Sequence, residues 1–237
     1  MKKVMAMVLT LAMVLCSASA LAAGKLTVNQ ETYFVTEGYS LKCFVFAEVE
    51  NTGDKNIEFD NGLLEMLTED GEPTDNANIY RMYPEVLAPG EKGYIVDSEY
   101  CDDGVTAADV ADHSLNVTGK STKEDAPVRL DAKGTLGKAV STWGGDQDAV
   151  QVVVTNNTTE TVYGCNVVYA LYDANDTLLC VDTSSLYNQG LPAGQSVEVL
   201  FSMDEDLQAK WTAEGLKPAR VEALVYADDM IASFTAE

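Results

Sequence analysis

The chain has 237 residues, with 38 acidic and 15 basic side chains, a net charge of −23 and 46% hydrophobic residues. That charge repels nucleic acid and anionic lipid, since either needs a positive surface to displace counterions, and no nucleic-acid partner is expected. The length suits two domains of ordinary size, each able to bury its own core.

The N-terminus has the parts of a secretory signal peptide: Lys2 and Lys3, an apolar run from Val4 to Leu15, and small residues ending in Ala20-Leu21-Ala22 before Ala23. Residues 1–22 are therefore expected to be removed, which takes away two lysines and no acid and carries the charge to −25. The run falls short of the roughly 20 residues needed to cross a bilayer, so no permanent transmembrane span is expected. Cys16 stands where a lipid-modified cysteine stands in an envelope lipoprotein, although Leu15 before it is bulkier than such processing favours.

A first β domain is expected over residues 25–118. Thr32 to Val35 reads as a short strand. Leu41 to Asn51 alternates, with Cys43, Val45, Ala47 and Val49 on one side and Phe44, Phe46, Glu48 and Glu50 on the other, the period of a half-buried strand. Asn51-Thr52-Gly53-Asp54 has turn chemistry. Ile57 to Leu67 is the next strand, residues 70–80 read as a polar loop, and Ala88-Pro89-Gly90-Glu91 makes a second turn before the strand at Gly93 to Val96. An irregular acidic stretch follows, with a helical turn over Thr106 to Ala111, and Ser114 to Val117 closes the domain.

Residues 119–135 read as a linker. With Lys138 they gather five basic residues, Lys120, Lys123, Arg129, Lys133 and Lys138, which either dock on an acidic face or stay solvated.

The second domain, residues 136–237, repeats the order of the first. Val150, Val152 and Val154 alternate as Val45, Ala47 and Val49 do, 105 residues later, and Asn156-Asn157-Thr158 takes the place of Asn51-Thr52-Gly53. Leu191-Pro192-Ala193-Gly194 follows Leu87-Ala88-Pro89-Gly90 at an offset of 104. Asp204 to Glu214 predicts a short helix, with an N-cap aspartate, acids in the first turn and Gly215 past the end. Arg220 to Tyr226 closes the copy. A period this long means duplicated domains rather than a solenoid.

The strand Tyr169-Ala170-Leu171-Tyr172-Asp173, with Val154-Thr155-Asn156-Asn157 before it and Leu191-Pro192-Ala193-Gly194-Gln195-Ser196-Val197 after it, resembles the FxLYD family, with Tyr in the place of the motif's Phe. The first domain has Leu64-Glu65-Met66-Leu67-Thr68 there, so its likeness rests on order and spacing. The resemblance implies an all-β fold of two immunoglobulin-like β-sandwiches in tandem, with the short helix in the second. It also implies an exported or surface protein of bacteria, and neither an enzymatic activity nor a transferable binding site. Tyr169 and Leu171 project to one face of their strand and Ala170 and Tyr172 to the other, while Asp173 is placed to accept from the amides of the turn.

Four cysteines follow the leader, Cys43, Cys101, Cys165 and Cys180, and two readings stay open: one disulfide per half, Cys43 with Cys101 and Cys165 with Cys180, or free, partly buried thiols. The only histidine, His113, reads as a surface residue, and no nucleophile elbow, phosphate-cradling loop or metalloprotease helix occurs. No catalytic residue is therefore assigned.

The one candidate metal site is Asp97, Glu99, Asp102 and Asp103, with Asp204, Glu205 and Asp206 in the corresponding region of the second domain. Calcium takes six to eight oxygens, which loops at the end of a sandwich can supply, and the competing reading is solvated loops and helix capping. Phe44, Phe46, Tyr94 and Tyr226 either form a binding surface or pack between sheets and domains. The expectation is a noncatalytic secreted or cell-surface protein that binds, adheres or spaces, with an unknown protein or cell-envelope ligand as partner. The alternatives are a secreted hydrolase or enzyme accessory with an inter-domain site, and an envelope lipoprotein subunit.

Overall fold

The computed structural model describes residues 25–37, 40–102, 104–140, 146–187 and 190–228. The proposed leader, Cys16 and Asp103 lie outside them. The alternation of apolar side chains carries the first half into β1 (Leu26–Glu37), β2 (Leu41–Asn51), β3 (Ile57–Leu67), β4 (Pro73–Ile79), β5 (Val86–Leu87), β6 (Lys92–Tyr100) and β7 (Asp112–Ser121), with a 3-10 turn at Ala107–Asp109. The second half holds β8 (Arg129–Val140), β9 (Asp146–Thr155), β10 (Cys165–Tyr172), β11 (Leu178–Leu186), β12 (Ser196–Ser202), the helix α1 (Glu205–Glu214) and β13 (Arg220–Ala227). All the named pairings are antiparallel, and the fold is all-β with one short helix. No described helix is long and apolar enough to cross a membrane.

The pairings repeat. β2 lies between β1 and β6, and β3 pairs with β7 along one edge and with β4 and β5 along the other. Likewise β9 lies between β8 and β12, and β10 between β11 and β13. In the second half the two groups join into one six-stranded sheet where Leu130 and Arg129 pair with Val225 and Tyr226. Even the short pairing Ile57–Leu87 has its counterpart, the bridge Val162–Leu191.

A buried asparagine organises the same turn in each half. Asn51 Nδ2 donates to the carbonyls of Lys55 (2.8 Å) and Leu87 (2.9 Å), and its Oδ1 accepts from Gly53 N. Asn156 Nδ2 donates to Glu160 (2.8 Å) and Leu191 (2.7 Å), and its Oδ1 accepts from Thr158 N. The turn glycines Gly90 and Gly194 have φ of 78° and 72°, and each donates its N–H to the carbonyl of the asparagine. Positive φ at both positions explains why the two copies keep glycine there.

Three details differ from the sequence reading. Residues 73–79, read as loop, form β4, an edge strand whose polar side chains sit largely on the open side while Ala77 and Ile79 are buried. The linker expected at 119–135 is mostly strand, because β7 runs to Ser121 and β8 starts at Arg129, leaving residues 122–128 as the connection. Cys165 and Cys180 cannot pair: Cys165 stands opposite Leu186 and Cys180 opposite Leu171, six residues further along β10, which at about 3.3 Å per residue is roughly 20 Å.

The alternation predicted for β2 holds, and both of its faces are covered. Cys43, Val45, Ala47 and Val49 belong to the core of the first half, whereas Phe44 and Phe46, with Phe34 and Tyr94, belong to one cluster with the core of the second. β10 is buried along its whole length for the same reason. Tyr169 packs edge-to-face on Phe201, with ring centroids 4.8 Å apart, while Tyr172, on the other face of the strand, reaches the first half.

Candidate functional site

The junction of the halves is built on Glu48, which is 4% exposed. Its Oε2 accepts from Tyr172 Oη at 2.7 Å, and its Oε1 lies 2.8 Å from Lys92 Nζ and 3.3 Å from Asn29 Nδ2. Tyr94 Oη is 3.2 Å from Tyr172 Oη. Burial pushes the Glu48 carboxyl up, but the bonds from Lys92, Tyr172 and Asn29 outweigh it and hold the group below the usual range, while Glu48 raises Lys92. Gln30 Oε1 accepts from Leu178 N at 3.0 Å, and Thr32 Oγ1 donates to Leu178 O. Arg129, from the basic cluster, donates to Lys92 O at 3.2 Å and lies 3.5 Å from Glu91, so this member docks on the first half. Lys120 instead pairs with Glu58 and Asp60, and Lys138 with Asp148, each within its own half.

Beside this junction a cleft of about 450 Å³ opens between the β2–β6 face of the first half and the β11 edge of the second, roofed by α1. The helix is placed by its ends. Asp204 accepts from Asp206 N and Leu207 N, and Gly215, at φ 73°, donates to Thr212 O and Trp211 O. Leu207 and Trp211, one turn apart, are its buried residues, and Trp211 meets Phe34 edge-on at 6.4 Å between centroids. Phe44, Phe46, Tyr83, Tyr169 and Trp211 supply the aromatic lining.

Two carboxylates stand at this cleft without a basic residue among its lining, Asp182 and Asp204. Asp182 is opposite Tyr169 in the β10–β11 pairing, and its Oδ1 accepts from Thr183 N at 2.7 Å. Burial, and to a lesser degree the charge of Asp204, push its carboxyl above the usual range. Asp97 also borders the cleft, but opposite Val45, so it stands on the sheet face turned to the first core. Cys180, buried beside Tyr169, has its thiol pushed up by burial, which leaves it protonated and inert as a nucleophile. The indole N–H of Trp211, which is 2% exposed, has no acceptor among the described residues.

Among the described residues, Asp97, Glu99 and Asp102 are not gathered into a metal-binding group. Glu99 follows Asp97 on the same face of β6, opposite Cys43, Asp97 Oδ1 accepts from its own neighbour Ser98 N, and Asp102 N donates to Asp75. Asp103 lies outside the described residues. Asp204 is taken up in capping α1, and Glu205 accepts from Gln147. Among the described residues no group of three or more His, Cys, Asp or Glu is placed to hold a metal ion. His113, expected on the surface, is stacked on Tyr33 at 4.7 Å with its side chain only 17% exposed, and Nε2 is 3.5 Å from Glu31.

Sequence reasoning singled out Phe44, Phe46, Tyr94 and Tyr226, and all four are buried where the halves meet or within the core of the second. It passed over Asp182 and Trp211. The signal for Asp182 was a lone acid closing the apolar run Leu178-Leu179-Cys180-Val181, and for Trp211 an aromatic four residues after Leu207 on a short helix.

No family model matches the chain, and no curated protein matches it. Among solved structures, the crystal structure of red sea bream transglutaminase aligns with 85% of this chain at 14% identity and a TM-score of 0.21. The chain spans 29% of that chain's length, and a likeness this low carries no argument about fold or function.

Proposed function

We propose that the chain is a noncatalytic bacterial protein, secreted or held at the cell surface, made of two immunoglobulin-like domains of the FxLYD type fixed together as one binding unit. The observation that carries the reading is the cleft whose walls come from both halves, held open beside the Tyr172–Glu48–Lys92 junction. Pre-formed concave sites with an apolar lining and a few polar groups are where proteins bind small groups. A spacer or flexible tether has no need of a buried carboxylate bridging its modules, since ordinary inter-domain contacts leave them free to move.

Expression of the full chain in a bacterial host tests the reading. Protein recovered from the envelope or medium, with a mature N-terminus at Ala23 by mass spectrometry, is the expected result, and retention in the cytoplasm with residues 1–22 intact overturns it. A mature N-terminus at a lipid-modified Cys16 assigns the chain to the envelope lipoproteins instead.

The second reading, a secreted hydrolase or enzyme accessory, is favoured by one observation, the two acids Asp182 and Asp204 at the cleft. Pairs of carboxylates do acid–base work in glycoside hydrolysis. Hydrolysis of glycan or peptide substrates by the purified protein, abolished in Asp182→Asn, is the result that replaces the binding reading with this one.

A further inference from the structure

The geometry points to a ligand class for the inter-domain cleft: an alkylammonium group on an apolar stem that also carries a carbonyl oxygen, the chemistry of lysine, free or within a peptide. The inference rests on the binding-module reading above and assigns what that module holds.

Three features of the cleft lead there. Its charged side chains on the β11 and α1 side, Asp182 and Asp204, have no basic residue among the lining to neutralise them. Asp182 is disfavoured as an anion by its burial and by Asp204, and a bound cation removes that cost where a neutral or anionic guest increases or ignores it. Tyr169 and Trp211 both line the cleft, and aromatic faces attract ammonium groups most strongly where water is excluded. The indole N–H of Trp211 is a buried donor without an acceptor among the described residues, and a carbonyl on the guest's stem supplies one.

The orientation follows from what is already occupied. Lys42 Nζ stands 4.4 Å from the centroid of Phe44, so the Phe44 end of the aromatic row has its cation. The guest's ammonium therefore belongs at the Asp182–Asp204 end, with its stem along Phe46 and Tyr169. The long-range field agrees, because a chain of net charge −23 concentrates cations at its surface.

The test uses the mature protein carrying Trp143→Phe, which leaves Trp211 as the only tryptophan of the two in the chain. Its fluorescence and calorimetry are followed on titration with L-lysine, with Nα-acetyl-lysine methylamide and with Nα-acetyl-norleucine methylamide, the last having a similar stem without the charge. Saturable binding of either lysine compound with a change in Trp211 emission, and none of the norleucine compound, is the expected result. Which of the two binds more tightly says whether the source is a free amino acid or a peptide. Asp182→Asn and Asp204→Asn should each weaken binding about tenfold or more, a loss of one charge pair's worth. Both variants keep the oxygen that accepts from the backbone, at Thr183 N in one and at Asp206 N and Leu207 N in the other, so folding is preserved. Equal binding of the norleucine compound, unchanged affinity in both variants, or no binding by any probe overturns the assignment. None of those outcomes bears on export, so the binding-module reading stands or falls separately.

Discussion

Tyr172 and Glu48 come from opposite halves of the chain, 124 residues apart, and the tyrosine hydroxyl donates to the carboxylate at 2.7 Å in a buried setting. The strand that carries the Tyr-Ala-Leu-Tyr-Asp sequence thus uses both faces: Tyr169 and Leu171 fill its own core, and Tyr172 reaches the neighbour's. Arg220 stacks its guanidinium 3.8 Å from the Tyr172 ring, which holds the ring in place. Tyr172→Phe keeps the ring and its packing and removes one donor from a buried charge. A loss of about 1 to 3 kcal/mol in a denaturant melt is expected. A stability unchanged within error would place the hydroxyl in water rather than at Glu48.

The same carboxylate gives the junction a pH dependence. Glu48 is held below its ordinary value in the folded protein, so its stabilisation is present above the unfolded carboxylate range, near pH 4.3, and is lost as pH falls through the lower folded value. Lys92 is raised, so its share is full below about pH 10.4 and is lost as pH rises through the higher folded value. Glu48→Gln should therefore differ most from the parent between about pH 5 and 10. The gap in melting temperature should close on acidification below pH 4, and a gap independent of pH between 2 and 7 would assign the effect to packing alone.

Much of this fold was legible in the residues, because a period of two sets the two faces of β2 without ambiguity, and the Asn51 and Asn156 turns repeat with their glycines. What covers the second face was not legible. Glu48 alternates with Phe44 and Phe46 like an outward-facing acid, and only a tyrosine 124 residues later and a lysine on the next strand make it a buried one. β4 was missed because an edge strand needs few apolar side chains: its backbone bonds to β3 define it, and its exposed side favours the polar residues that also mark loops. The cleft was illegible for the same reason as the junction. Asp182, Asp204 and Trp211 converge through the packing of β11 and α1 against the first half, a tertiary arrangement with no local pattern.

Cys43 and Cys101 are free thiols with their sulfurs 3.1 Å apart, and Cys43 Sγ also touches Met66 Sδ at 3.3 Å. Burial and the neighbouring Cys43 thiol push Cys101 up to about 12, so the pair is slow to ionise and oxidises only with an efficient thiol oxidant. In an oxidising compartment these two cysteines join while Cys165 and Cys180 stay reduced. Intact mass and thiol labelling of exported protein should show one disulfide and two free thiols. Closing a loop of 58 residues should raise stability by about 4 kcal/mol over the reduced form, less any strain. A second bridge within β10–β11 would require the hairpin register to be different.

The duplicated asparagines offer a test of how tightly the halves are coupled. Asn51→Ala removes the side-chain donor to the carbonyls of Leu87 and Lys55, and Asn156→Ala removes that to Leu191 and Glu160, leaving Leu191 O only the backbone N–H of Val162. Each should cost about 1 to 3 kcal/mol. Because Phe34, Phe44, Phe46 and Tyr94 sit in one cluster with the second core, both variants should shift a single cooperative transition by similar amounts. Two resolved transitions, each moved by only one of the variants, would mean that the halves unfold independently and that the junction contributes little.

Asp182 should trade stability against the cleft's charge. Its folded carboxyl lies above the unfolded value because burial, and then Asp204, disfavour the anion. The ionised form therefore costs stability at neutral pH, and that cost disappears as pH falls through the raised folded value and then the unfolded one. Asp182→Asn keeps an oxygen for Thr183 N and removes the charge, so its melting temperature should exceed that of the parent at pH 7. The advantage should narrow as pH falls through the raised folded value, where the parent carboxyl takes up its proton. A variant less stable than the parent at pH 7 would mean that the carboxylate has a cationic partner in the free protein. In that case the cleft is neutralised without a guest, and the reason for a half-buried acid at this position is structural.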